Sequence, residues 1–280
     1  MVPTLSSFSL GEIVAAKSDT QTLWFQLYVN GNRDVTANMI KRAEQLGCAA
    51  ICVTVDAPGL GNREKDQRQK FDSSLPSAMK ESKPNKAGAA ATLTTFIDPS
   101  LCWEDISWLQ SLTSLPIIIK GIQCGEDALL AVQHGVKAII VSNHGGRQLD
   151  SARSSVEVLK EVMDALRCHK MDEKVEVYVD GGIRRGTDIF KCLALGARAV
   201  GIGRPVLYGM AAFGQEGVEK VLKIFKDELE TTMRMMGTPS LSAINQNMIL
   251  TRNLTDHIAP VPKDNLANQV YSKIRLAGKL

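Results

Sequence analysis

Nine consecutive residues of this 280-residue chain concentrate chemistry: Ser142-Asn143-His144-Gly145-Gly146-Arg147-Gln148-Leu149-Asp150, directly after an apolar run. An imidazole and a guanidinium separated by two glycines share one small space. The glycines let the backbone turn and let a flat ligand approach closely. Arg147 can clamp a carboxylate in bidentate fashion while His144 takes a proton beside it. Such an imidazole needs a carboxylate to hold its tautomer and to stabilise the imidazolium. Asp56, ending Ile51-Cys52-Val53-Thr54-Val55, is the candidate; the alternative is a helix-capping Asp ahead of Ala57-Pro58. His134, His169 and His257 have no comparable context and read as ordinary core or surface histidines.

A second constellation is a pair of glycine–arginine turns, Asp180-Gly181-Gly182-Ile183-Arg184-Arg185-Gly186 and Gly201-Ile202-Gly203-Arg204-Pro205. Backbone N–H groups at such turns, a helix N-terminus and two arginines make an anion site. A dinucleotide fingerprint needs a third glycine, which Gly201-x-Gly203-x-x-Val206 lacks. The phosphate of a mononucleotide cofactor is the better reading, against two tight turns with surface arginines. Lys120 ends the apolar Pro116-Ile117-Ile118-Ile119. A buried ammonium must reach a partner. Either it faces the edge of a flavin ring where negative charge develops on reduction, or it pairs with Asp180 or Asp56.

These groups must be positioned by regular elements. Apolar, β-branched runs at 23–28, 50–55, 116–120, 138–142, 175–179 and 199–202 are near-continuous rather than alternating, as in parallel strands covered on both faces. Helical patterns lie between them at 35–46, 126–134, 155–166 and 186–195. The first should bury Val35, Met39, Ile40, Ala43 and Leu46, and the third Val156, Leu159, Val162, Met163 and Leu166. Gly135 and Gly196 stand where helices stop. Repeated strand–helix alternation means an α/β fold with a parallel sheet. Because every strand ends in a polar residue, the expectation is a TIM (β/α)8 barrel, not a doubly wound sheet with one switch point. Residues 2–5 read as the end of a seventh strand, so the barrel lacks its first. The polar connection 61–98 reads as a mobile lid over the barrel mouth. The expected division is a barrel over 1–255 and a C-terminal tail over 256–280.

Composition narrows the classes. Hydrophobic residues make up 44% and charged residues 22%, which supplies a core and argues against disorder. No apolar run is long enough for a membrane span. A net charge of +3, with the basic residues spread along the chain, does not indicate nucleic acid. Cys48, Cys52, Cys102, Cys124, Cys168 and Cys192 show no metal or disulfide spacing and read as reduced, buried thiols of an intracellular protein.

Taken in order, these motifs resemble the FMN-dependent α-hydroxy-acid dehydrogenase/oxidase family, which includes glycolate oxidase and L-lactate dehydrogenases. The carrying segments are Trp24-Phe25-Gln26-Leu27-Tyr28, Val53-Thr54-Val55-Asp56-Ala57-Pro58, Gly61-Asn62-Arg63-Glu64, Ile118-Ile119-Lys120-Gly121, the His144 stretch and the two glycine–arginine turns. Arg63-Glu64-Lys65-Asp66, Phe96-Ile97-Asp98-Pro99-Ser100-Leu101 and the long tail resemble its flavocytochrome b2 branch.

The resemblance implies oxidation of a small L-2-hydroxy acid, probe substrate L-lactate, to the 2-keto acid on FMN. His144 would be the base and Asp56 its partner. Arg147 would bind the substrate carboxylate, Arg63 would support it, and Tyr28 would bond the reacting hydroxyl region. Gln26, Thr54, Lys120 and Ser142 would contact the flavin; Asp180, Gly181, Gly182, Arg184, Gly203 and Arg204 would hold its ribityl chain and phosphate. No metal, nucleic acid or membrane is implied. The acceptor would be cytochrome c or oxygen, the assembly a homo-oligomer (tetramers in relatives), the compartment mitochondrial or cytoplasmic. Relatives begin upstream of Met1 with a first strand, a flavin-facing loop and a tyrosine, and this branch adds a haem domain. An N-terminally truncated barrel is therefore expected, and a catalytically impaired remnant is the rival reading. Pro3 stands where relatives offer the flavin a serine.

Overall fold

A computed structural model describes residues 1–59, 61, 96–254 and 256. They form two compact units, one up to Lys120 and one from Gly121. The first holds β1 (Val2–Pro3), α1 (Leu10–Ala15), β2 (Trp24–Leu27), α2 (Arg33–Gln45), β3 (Ala50–Thr54) and α3 (Glu104–Ser111), and β4 (Ile117–Ile122) ends just beyond it. Within it the parallel strands pair in chain order, Val2 beside Phe25, Gln26 beside Cys52 and Thr54 beside Lys120. This register aligns the C-terminal strand ends, so Gln26, Thr54 and Lys120 come to one edge.

The second unit continues with α4 (Gly125–Gln133), β5 (Ala138–Val141), α5 (Ser155–Cys168), β6 (Glu176–Val179), α6 (Gly186–Leu195), β7 (Ala199–Val200) and α7 (Arg204–Met235). Ser142 N–H donates to the Ile122 carbonyl, Val141 pairs with Val179, and Val179 with Val200. Seven strands thus follow chain order, β1 to β7, with parallel pairing from β1 to β4 in the first run and from β5 to β7 in the second. That order belongs to successive right-handed βα units rather than to a sheet wound both ways from a switch point. Every residue of β3 and β5 is buried, which is why those runs carry no alternation.

Several expected details shift. In α2 the buried residues are Thr36, Ile40 and Ala43, while Val35 faces out. Thr36 tolerates burial because its hydroxyl accepts from Asn30 N–H at 2.9 Å. In α5 Val158 is buried, whereas Val156 is only half-buried. Strand β7 stops at Val200; a Cβ on Gly201 would lie 2.9 Å from that of Asp180. The 32-residue α7 is absent from the sequence reading. It breaks at Phe213–Gly214, where Gly214 has φ 59° and ψ −141°. Beyond the break the chain doubles back, and a Cβ on Gly217 would come 1.9 Å from the Gly209 carbonyl oxygen. Of the expected lid, residues 62–95 lie outside the described residues, as does most of the tail. At the end of that connection Ile97 bridges Asn30, and Arg33 pairs with Asp98 (2.9 Å) and Asp105 (3.1 Å) over the Trp108 ring.

Glu228 of α7 clamps the start of α6. It accepts from Gly186 N–H and from Arg185 Nη1, each at 2.7 Å. The Gly186 amide, then the guanidinium, hold its carboxyl below the usual range. A depressed folded-state pKa contributes stability that is present above the unfolded value, about 4.3, and is lost as pH falls through the folded value. The melting-temperature gap between the protein and Glu228→Gln should therefore be full at neutral pH and close below that range, as thermal scans against pH can establish.

None of the six cysteines is in a disulfide, but only Cys48, Cys52 and Cys192 are buried; Cys168, the last residue of α5, is exposed. It falls at a helix end, where burial by the apolar face no longer applies. Burial pushes the thiols of Cys124 and Cys192 up to about 12. Neither forms thiolate at neutral pH. Brief iodoacetamide treatment should label Cys168 and spare Cys192 until the fold is opened, a pattern that peptide mass mapping resolves. Among the described residues no helix is long and apolar enough to cross a membrane, and no group of three or more acidic, His or Cys side chains could hold a metal.

Candidate active site

In the first unit the polar strand tips interlock. Gln26 is buried on β2, and its Nε2 donates to Thr54 Oγ1 at 2.9 Å. Thr4, just past β1, fixes the same glutamine: its N–H donates to Gln26 Oε1 and its hydroxyl donates to the Gln26 carbonyl at 2.6 Å. That hydroxyl also accepts from Tyr28 N–H at 3.1 Å. Thr4 carried no signal in the sequence, since its role depends on the β1–β2 register. Lys120 is buried on β4, two residues before its end, with Nζ 3.8 Å from Asp56 Oδ2. The Lys120–Asp56 pairing left open above is therefore real. Arg63 lies outside the described residues.

In the second unit Ser142, buried at the end of β5, donates its hydroxyl to Asp180 Oδ1 at 2.5 Å and accepts from His144 N–H at 3.0 Å. His144, Gly145 and Gly146 form a single 3-10 turn, with φ of 56°, 66° and 71°. Arg204, opening α7, donates from Nη2 to the Gly145 carbonyl at 2.9 Å. The histidine turn and the second glycine–arginine turn are thereby neighbours. Gly181 and Gly182 also have positive φ, 90° and 81°, so a non-glycine residue at either is strained. Asp56 and His144 belong to different units.

The N-terminus of α6 is not available to an anion: Asp188 Oδ2 accepts from the amides of Arg184 and Arg185, and Glu228 takes that of Gly186. Two carboxylates already answer the partial positive charge there. The other glycine–arginine turn, Gly203–Arg204, opens α7, and no side chain caps that helix start. Cβ positions on Gly182 and Gly203 meet nothing within 4 Å, and Arg184 and Arg204 are exposed.

Each unit, taken by itself, carries donors that fit one part of FMN. Open glycine backbone and two guanidinia suit a phosphate. A buried amide, hydroxyl and ammonium near strand ends suit the nitrogen and oxygen edge of a flat heteroaromatic ring.

Known proteins agree. A family model described as FMN-dependent dehydrogenase matches residues 1–251. The L-lactate dehydrogenase (cytochrome) of Saccharomyces cerevisiae is 47% identical over 275 residues, 97% of this chain and 46% of that protein. Its counterpart in Wickerhamomyces anomalus is 45% identical, covering 98% and 48%. The chain thus spans about half the length of these two relatives. The 2-hydroxyacid oxidase 2 of Bos taurus is 48% identical over 88% of this chain and 69% of its own. Among solved structures, the recombinant flavin-binding domain of baker's yeast flavocytochrome b2 superposes with a TM-score of 0.81 at 45% identity, covering 100% of this chain and 67% of that one. On its fold, its donor set and this match, the chain belongs to the FMN-dependent dehydrogenase family.

Proposed function

We propose that the chain oxidises a small L-2-hydroxy acid, with L-lactate as the reference substrate, to its 2-keto acid on FMN. One observation carries this reading: the turn bearing His144 and Arg147 is pinned beside both glycine–arginine segments, through Ser142–Asp180 and Arg204–Gly145. A base, a carboxylate clamp and a phosphate cradle in one neighbourhood suit few other reactions.

When bound, FMN supplies a two-electron acceptor. The chain's residues do the rest. Arg147 binds the substrate carboxylate, Arg63 adds positive charge, and Tyr28 bonds the reacting hydroxyl. His144 holds a proton taken from the substrate, and Asp56 stabilises the resulting imidazolium. Gln26, Thr54, Lys120 and Ser142 hold the flavin ring; Asp180, Gly181, Gly182, Arg184, Gly203 and Arg204 hold the ribityl phosphate. The hydroxy acid loses two electrons and two protons overall.

The acceptor is cytochrome c or oxygen: similar proteins are named L-lactate dehydrogenase (cytochrome) and, in Nostoc, L-lactate oxidase. The rest of the proposal is a barrel over 1–255 with a tail over 256–280, homo-oligomeric, in a reducing intracellular compartment, mitochondrial or cytoplasmic, consistent with six cysteines outside any disulfide. The test is chromatographic detection of pyruvate from L-lactate, with D-lactate as the control. Equal yield from both enantiomers would remove the substrate assignment. FMN retention with no product from any 2-hydroxy acid would favour the catalytically impaired barrel.

A further inference from the structure

We propose that Asn143 is a positioning residue, which locks the turn carrying His144 and Arg147 and couples it to the Gly181 turn. The inference rests on the function proposed above for His144, but its evidence is geometric. Three consecutive residues, His144 to Gly146, hold left-handed φ, and for a histidine that conformation persists only when its surroundings enforce it.

Asn143 supplies the enforcement with every polar group it has. Its carbonyl and its Oδ1 both accept from Gly146 N–H, at 3.0 and 3.3 Å, closing the turn from behind. Its Nδ2 donates to the Arg153 carbonyl at 3.2 Å, and its backbone N–H donates to Ser155 Oγ at 3.2 Å. The side chain is therefore anchored to the start of α5 while it holds the histidine turn.

The coupling follows from Gly181. A Cβ there would lie 2.9 Å from Asn143 Oδ1 and 2.9 Å from Ser155 Oγ. The backbone of the phosphate-side turn thus rests on the amide and hydroxyl that shape the histidine turn. Ser142 adds a second tie between the same segments through Asp180 and His144 N–H. Two turns sharing one polar seam cannot shift independently, so cofactor loading and imidazole placement report on each other. Asn143 touches neither reacting atoms nor phosphate in this scheme; it acts through its neighbours.

The experiment uses the full chain, without and with FMN. It reads FMN Kd by flavin fluorescence, the His144 ring signals by NMR with labelled histidine, and kcat and KM for L-lactate. Asn143→Ala should weaken FMN about tenfold, move the His144 signals and abolish their response to FMN. It should also lower kcat by about 10²-fold through misplacement alone. Asn143→Asp, which keeps the Oδ1 acceptor for Gly146 but sets an acceptor against the Arg153 carbonyl, should recover only part of each. If Asn143→Ala does not fold, Ser155→Ala, which removes one anchor of the same seam, should move FMN Kd and the His144 signals together. FMN affinity and His144 signals both unchanged in the variant that folds would overturn the coupling. Were the parent chain inactive on every 2-hydroxy acid while those two readouts still moved together, the proposed function would fail and the positioning role would stand.

Discussion

His144→Asn lowers kcat for L-lactate by about 10³-fold while FMN stays bound, because a positioned base contributes roughly 10²–10⁴ to proton transfer. Asparagine suits this test better than alanine: it accepts the left-handed backbone that position 144 requires, so the turn survives the exchange. The backbone N–H to Ser142 Oγ survives too, and FMN Kd should stay within about threefold, since the donors assigned to the flavin lie elsewhere. Stopped-flow kinetics and flavin fluorescence measure the two quantities separately. A kcat within about fivefold of the parent would remove His144 from the chemistry.

Gly186→Ala should be strongly destabilising. Its new methyl would lie 2.3 Å from Leu229 N and 2.5 Å from Glu228 Cβ. Those atoms are helix backbone and its first side-chain carbon, so no rotamer change can relieve them. The α6 start is also pinned by the Gly186 amide on Glu228. Forcing α6 from α7 should cost about 4 kcal/mol, at the severe end of overpacking. For a chain of this size that lowers Tm by roughly 8–16 °C. Gly31, where a Cβ meets nothing within 4 Å, is the matched control, and Gly31→Ala should change stability by less than about 0.5 kcal/mol. A Tm for Gly186→Ala equal to the control's would mean that the two helices separate freely.

The sheet was legible because its strands are buried on both faces. The run 50–55 reads as near-continuous in apolar character, and the five residues of it that form β3 are all buried. Helix ends at Gly135 and Gly196 were legible too, since both residues take the left-handed conformation that glycine favours. What escaped depended on distant partners. Val35 was misplaced because the burial of Thr36 depends on the Asn30 amide, which apolar periodicity cannot register. Helix α7 escaped because Phe213–Gly214 interrupts its period and Pro205 reads as a turn. In the site, residue types pointed to a base, a clamp and an anion cradle. Glu228, 42 residues beyond Gly186, takes the first amide of α6, a partner that no local spacing around the turn reveals. Asp188, three residues after Arg185, was a local hint that the end was already capped.

The central claim is that His144, Arg147 and the flavin-binding residues act on one substrate. Its most direct test is anaerobic mixing of the FMN-loaded chain with L-lactate while the flavin's visible absorption is followed. The account predicts that the band bleaches with L-lactate and persists with D-lactate. A chain that keeps its FMN and never bleaches with any L-2-hydroxy acid would contradict it.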